Sequence, residues 1–211
     1  MKPISTIFII LAMCTSISAQ WKIGPSVATG FITQSPSKIN VFAMDNFQNY
    51  NLEFAGSTSV KSIGFMAVND LGPVFLQSGI MATTYGLDFV VSGYKSMDSG
   101  EHIFHEQFYK IEIPFNAGVK FHNFRIGLGP VLDLALDVDS ELSTISEYKD
   151  TSKSIDFGFQ GLLGYSIGVF HIDVKYINKF SSITDGFAFG FDEFKYKKSA
   201  NRLVFGMGVT F

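Results

Sequence analysis

The sequence predicts an all-β fold, an eight-stranded antiparallel transmembrane up-and-down β-barrel, and three observations predict it. Stretches of the chain alternate with a period of two between large apolar and small or polar residues, as in a strand with a different environment on each face. These stretches reach or slightly exceed the roughly 9–11 residues that a tilted strand needs to cross a bilayer, whereas strands of soluble proteins average about 5–6. Tight turns also alternate with long polar connections. Composition points the same way: of 211 residues, 46% are hydrophobic and 17% charged, with 23 Phe and 20 Gly. A soluble domain carries about 25% charged residues and would have to bury nearly all of its Phe. A barrel can turn them toward lipid.

Residues 1–19 read as a secretory signal peptide, which leaves residues 20–211 as the barrel domain. Lys2 supplies a positive start, Ile7–Met13 an apolar centre, and Ser16-Ile17-Ser18-Ala19 a small-residue cleavage site after Ala19. The apolar run is too short for a spanning helix. A lipobox is the rival reading, through Leu11-Ala12-Met13-Cys14, but Met13 stands where that motif takes a small residue. Cys14 is the single cysteine, so cleavage after Ala19 leaves no thiol for a disulfide or a thiolate metal site. No later stretch has 18 consecutive apolar residues, which excludes a transmembrane helix.

The strands follow in order. Trp21–Thr33, Thr58–Asp70 and Pro73–Leu87 alternate loosely. In Lys110–Phe121, Ile111, Ile113, Phe115, Ala117, Val119 and Phe121 oppose Lys110, Glu112, Pro114, Asn116, Gly118 and Lys120. In Arg125–Asp137, Ile126, Leu128, Leu132, Leu134 and Leu136 oppose Arg125, Gly127, Gly129, Asp133 and Asp137. Asp156–Gly168 sets Phe157, Phe159, Leu163, Tyr165 and Ile167 against Asp156, Gly158, Gln160, Gly164 and Ser166. His171–Phe180 sets Ile172, Val174, Tyr176 and Phe180 against Asp173, Lys175 and Lys179. The clearest alternation is the last, where Leu203, Phe205, Met207, Val209 and Phe211 oppose Val204, Gly206, Gly208 and Thr210. A final strand ending on an aromatic residue resembles the C-terminal signal by which such barrels meet the barrel-assembly machinery, so Phe211 is expected to make that contact.

Tight turns are expected at Asp70-Leu71-Gly72-Pro73, His122-Asn123-Phe124-Arg125 and Gly168–His171, with long loops at 34–57, 88–105, 139–152 and 183–199. In an outer membrane the short turns are periplasmic and the long loops extracellular, and an even strand number puts both termini in the periplasm. The soluble alternative, a lipocalin-like barrel, requires the apolar face to point inward and a polar outer face.

The expected inward faces carry Lys110, Lys120, Arg125, Lys175, Lys179 and Arg202 against Glu112, Asp133, Asp137, Asp156 and Asp173. Eight strands enclose only enough room for their own side chains, and buried charges need partners. A pairing network that plugs the lumen is therefore expected, in preference to an ion path. The net charge is −3, and −4 without Lys2, which gives no electrostatic reason for a nucleic-acid partner. His102 and His105, flanked by Glu101 and Glu106, are the one cluster of metal-like composition. Residues three apart on a strand face opposite ways, so a solvated loop tip is the expectation and neither metal nor cofactor is assigned. Ser92, Ser96 and Ser99 near these histidines fit no nucleophile motif, and His122 and His171 fall at turns. The loop at 34–57 mixes Phe42, Met44, Phe47, Tyr50, Leu52 and Phe54 with Asn and Gln, suiting an interfacial belt or a partner-binding surface.

The order of these segments resembles the PorT-like outer-membrane β-barrel family of Bacteroidetes. Tyr109-Lys110-Ile111-Glu112-Ile113-Pro114-Phe115 resembles its Tyr-x-x-Ile-Pro strand. Gly127-Leu128-Gly129-Pro130, Asp156-Phe157-Gly158, Gly161-x-x-Gly164-Tyr165, Val174-Lys175-Tyr176 and Gly206–Phe211 follow in the family's order. The resemblance implies a barrel in a bacterial outer membrane, in contact with its lipid, and carries over no catalytic residue. Three functions stay open: a non-enzymatic barrel that stabilises the membrane or presents loops to an envelope protein, a channel or carrier for a small or apolar solute, and a lipid-modifying enzyme. The first is the expectation.

Overall fold

The computed structural model describes residues 21–33, 39–43, 48–92, 102–141, 148–150, 155–180, 186–189, 192–195 and 201–211. The expectations placed on residues 1–20, including the leader and Cys14, lie outside them. The described residues form strands β1 (Trp21–Ile32), β2 (Ile39–Ala43), β3 (Gln48–Ser57), β4 (Val60–Leu71), β5 (Val74–Ser92), β6 (His102–Phe121) and β7 (Phe124–Ser140). They continue with β8 (Tyr148–Asp150), β9 (Ile155–Ile167), β10 (Phe170–Lys179), β11 (Gly186–Phe189), β12 (Asp192–Lys195) and β13 (Arg202–Val209).

Eight of these strands close a ring. Going round, β1 pairs with β4, β4 with β5, β5 with β6, β6 with β7, β7 with β9, β9 with β10, β10 with β13, and β13 with β1. Every pairing is antiparallel, so the expected eight-stranded up-and-down barrel is the observed fold. Closure removes the unpaired edges of the sheet. Its last seam is β1 on β13, where Ile23 and Phe211 exchange backbone hydrogen bonds of 3.2 Å.

Three two-residue turns set the register at one rim: Gly72-Pro73, His122-Asn123 and Gly168-Val169. In each the first residue has positive φ, at 72° for Gly72, 54° for His122 and 62° for Gly168. That left-handed opening matches the twist of the flanking strands in tight hairpins. The start of β1 and the end of β13 lie at this same rim, as Thr210 N donating to Val169 O at 2.9 Å shows.

Alternation is kept round the ring with the apolar face outside. Ile63, Phe121, Ile126, Phe157 and Met207 are all more than 60% exposed, while Met66, Arg125, Asp133, Gln160, Asp173 and Val204 are buried inside. On β1 the outward row from Trp21 to Phe31 spans ten residue steps. At about 3.3 Å per residue and a tilt of about 40°, that is a band about 25 Å tall.

The ring is taller on one side. β5, β6 and β7 have 19, 20 and 17 residues, whereas β1 and β4 have 12 each. The expected loops at 34–57, 88–105, 139–152 and 183–199 are accordingly shorter than the sequence suggested. β2 and β3 form a hairpin that extends the sheet along the top of β5, and β8, β11 and β12 make a separate three-stranded sheet. These short strands carry too few alternating residues to stand out in a polar stretch. Of the 34–57 aromatics, Phe54 packs edge-on against Phe89 with ring centroids 6.2 Å apart. Met44 and Phe47 lie outside the described residues, as do the side chains of Phe42, Tyr50 and Leu52.

Candidate functional site

Among the described residues polar chemistry is densest in the interior, where it is layered. At the turn rim, Asp70 accepts an ion pair from Lys120 at 3.0 Å and lies 3.7 Å from Lys22. Beside them His171 is held by both ring nitrogens, Nδ1 at 3.0 Å from Ser166 Oγ and Nε2 at 2.7 Å from Thr210 Oγ1. One step up, Asp173 receives Arg125 at 2.9 Å, Gln77 Nε2 at 2.9 Å and Lys175 at 3.9 Å. The Arg125 guanidinium also stacks over Phe75, 5.5 Å from the ring centre. Gly164 makes room for this pair, since a Cβ there would lie 2.6 Å from Asp173 Oδ1 and 3.2 Å from Arg125 Nε. At mid-height Gln160 donates to Asn116 at 3.0 Å.

The upper layer holds the densest charge. Lys179 meets Asp133 at 2.6 Å, and Arg202 reaches Glu112 at 2.8 Å and Asp133 at 3.4 Å. Asp156 is the register partner of Asp133 and is buried with it. Arg202 and Lys110 both lie over the Tyr85 ring, at 5.5 and 5.4 Å, and Lys110 is also 5.6 Å from the Phe108 ring centre. Above this, Leu87, Phe89, Phe104 and Phe108 are buried. Alternation continues up the tall strands, so their inner face becomes mostly aromatic, with Glu106 buried between Phe104 and Phe108 and accepting a hydrogen bond from Ser140 Oγ at 3.0 Å.

Charges in a low-dielectric space are costly unless partnered, and here they cross-link strands that are not neighbours. Arg202 on β13 reaches Glu112 on β6 and Asp133 on β7, across the barrel's width. Arg125 and Arg202 are 0% and 2% exposed, so each guanidinium is enclosed by its own layer.

Of the residues assigned to the lumen from sequence, Lys110, Glu112, Lys120, Arg125, Asp133, Asp156, Asp173, Lys175, Lys179 and Arg202 all point inward. Asp137 does not. A bulge breaks the β6–β7 register, with Lys110 opposite Ala135 but Tyr109 opposite Asp137. The extra residue, Leu136, shifts the parity, and Asp137 turns outward to accept a hydrogen bond from Val138 N at 2.9 Å. Sequence reasoning also passed over Lys22, Asp70 and His171, which sit at strand ends that read as turn or leader boundary. Asn116 and Gln160 were on the inward faces but passed over as lumen partners because they are uncharged, and Gln77 lies on the loosely alternating Pro73–Leu87 stretch, where parity assigned no face.

The histidine cluster is not a loop tip. His105 lies on β6, its Nδ1 2.6 Å from Asp88 Oδ1, while its backbone N–H donates to Glu141 Oε2 at 3.0 Å. The contact ties β5, β6 and the end of β7 together above the apolar band. The Asp88 hydrogen bond, with the charges of Asp88 and Glu141, holds the His105 pKa above its ordinary value. The side chains of His102 and Ser92 lie outside the described residues, and so do Ser96 and Ser99. His122 is at its turn and His171 within the lumen.

No protein-family model matches the chain, and no curated protein does. Among solved structures the chain is similar to the outer membrane protein OprG from Pseudomonas aeruginosa, at 15% identity and a TM-score of 0.49, covering 90% of this chain and 95% of that one. It is also similar to the outer membrane protease OmpT from Escherichia coli, at 12% identity and a TM-score of 0.34, covering 90% and 97%. Both likenesses are of outline alone.

Proposed function

We propose that this chain is an integral outer-membrane β-barrel protein with a closed lumen, non-enzymatic, that acts through the strands and loops it raises above the membrane. One observation carries the membrane reading. Among the described residues, 30 large apolar side chains are exposed and 14 are buried. In water those 30 would stay wet in the folded as in the unfolded state and add nothing to folding, while 14 buried side chains at about 1.5–3 kcal/mol each supply only about 20–40 kcal/mol against an ordering cost of about 1–2 kcal/mol per residue. Lipid supplies the missing burial. The ordered motifs from Tyr109 to Phe211 that resemble the PorT-like family support the same location, and recognition of the last strand by the barrel-assembly machinery belongs to the same proposal.

The filled lumen argues for a binding or structural role over conduction. Both ion-pair layers and the aromatic layer above them lie in the path of any solute. What rises beyond the band is the β5–β6–β7 wall with the β2–β3 hairpin, and that is the surface offered to an envelope protein. Reconstitution in phospholipid vesicles tests this directly. The expected result is a folded, heat-shifting band that resists alkaline extraction, with no swelling in small sugars and no steady single-channel current. Steady current from the folded protein would replace this reading with the channel.

A further inference from the structure

The outer wall carries a groove that the lumen network does not explain. Its space is about 290 Å³, and the residues round it include Lys61, Ile63, Ala82, Thr84, Tyr109 and Leu136. These six have outward parity, and the other four lining residues, Ala28, Ser62, Thr83 and Lys110, make up the row of inward parity that runs between their two rows. The register across the wall shows how the groove arises. One row of partners runs Thr29, Lys61, Thr84, Tyr109, Asp137 across β1, β4, β5, β6 and β7. The row beneath runs Val27, Ile63, Ala82, Ile111, Leu134. The lower row is apolar throughout, and its one small member, Ala82, leaves a notch between taller side chains. The upper row is polar, and above it β5 and β6 turn Asp88, Gln107 and His105 outward. The boundary between hydrocarbon and headgroup on this side therefore falls at the row of Lys61.

We propose that this groove is a lipid site, taking one acyl chain of an outer-leaflet lipid over Ala82 with that lipid's phosphate-bearing headgroup on Lys61. The inference rests on the membrane reading above. The groove is continuous with the lipid-facing band, which selects a lipid over a protein segment. Lys61 is exposed and makes no ion pair among the described residues, so none of these competes with an anion for its ammonium at headgroup level. Asp137, the negative member of the row, is three strands away, about 14 Å at the usual strand spacing. Tyr109 and Thr84 add hydroxyls at the same height, and Leu136, pushed out by the bulge, forms a wall. A lysine that merely extends to the interface would need neither the notch nor the row.

The test uses the full chain expressed with its leader, purified from the outer membrane and reconstituted in phosphatidylcholine nanodiscs doped with phosphatidylglycerol. Folding and insertion are read separately, by the heat-dependent gel shift. Lipid retained after detergent extraction is read by native mass spectrometry. The expected result is one phosphatidylglycerol kept per chain in preference to phosphatidylcholine. Lys61→Gln should cut that preference about fivefold, the share one basic residue contributes at an anionic surface, and Lys61→Arg should keep it. Ala82→Phe should fill the notch and abolish retention of either lipid. An inserted protein with no headgroup preference, or one indifferent to Lys61→Gln or Ala82→Phe, overturns the lipid site alone. A chain that does not insert overturns the membrane reading and the site together.

Discussion

Arg202 is the residue on which the upper lumen depends, and its replacement by methionine gives the sharpest test of the plugged interior. The side chain is 2% exposed, bridges Glu112 at 2.8 Å and Asp133 at 3.4 Å, and lies over Tyr85. Methionine keeps most of the volume and removes the charge. Glu112 and Asp133 are then left with Lys179, already engaged with Asp133 at 2.6 Å. Removing one partner of a buried ion pair costs about 3–5 kcal/mol, because the remaining charge is stranded without water. The folding equilibrium in vesicles should fall by a factor between about 150 and 4,000, at about 1.4 kcal/mol per tenfold. Urea titration of the vesicle-inserted protein measures this through Trp21, the single tryptophan, which lies at the rim of the outward band. Adding Glu112→Gln should recover about half of the loss, since the stranded carboxylate goes with it. A loss below about 1 kcal/mol for Arg202→Met would show that water reaches this layer and that the lumen is not a closed network.

Three further outcomes follow from the geometry. Gly164→Ala should destabilise by about 1–3 kcal/mol in the same titration, because its methyl group would press on Arg125 and Asp173. Gly206→Ala, whose Cβ would sit 3.6 Å from that of Ala28, should cost far less. His105 should titrate above 6.5 by NMR, and Asp88→Asn should lower its midpoint, since the Asp88 hydrogen bond is the largest cause of the raised value. A raised folded pKa contributes stability that is fully present below the unfolded value of about 6.5 and is lost as pH rises through the folded one. Amide protection factors at the top of β5 and β6, corrected for the intrinsic base catalysis of exchange, should therefore fall as pH rises through the folded pKa, and His105→Gln should remove that fall. Lys22→Gln should have little effect beside Lys120→Gln, because Lys22 stands 3.7 Å from Asp70 and half exposed while Lys120 stands at 3.0 Å; parallel urea titrations compare the two.

Much of the barrel was legible because its physics is a parity rule. A residue such as Asp173 or Lys179 on an alternating stretch has a single face available, and the ring keeps that face from the turn rim to the upper ion layer. Legibility ends where parity is interrupted or the stretch is short. Leu136 adds one residue to β7, and Asp137 turns from lumen to exterior without any change in composition to signal it. A strand such as β8 owes its pairing to β11, distant in sequence, so its own few residues announce nothing. His171 and Asp70 were hidden for another reason. They stand at strand ends, where turn chemistry and lumen chemistry use the same polar residues.

The account stands or falls on which face of the wall meets lipid. Tryptophan placed singly at Leu128, Ile172 or Phe205, in a Trp21→Phe background, reports that face through quenching by lipids brominated in the acyl chain. Strong quenching at all three positions, with aqueous iodide unable to reach them, is the predicted result. Quenching by iodide and indifference to the brominated chains would mean that these side chains face water, and would contradict the membrane barrel itself.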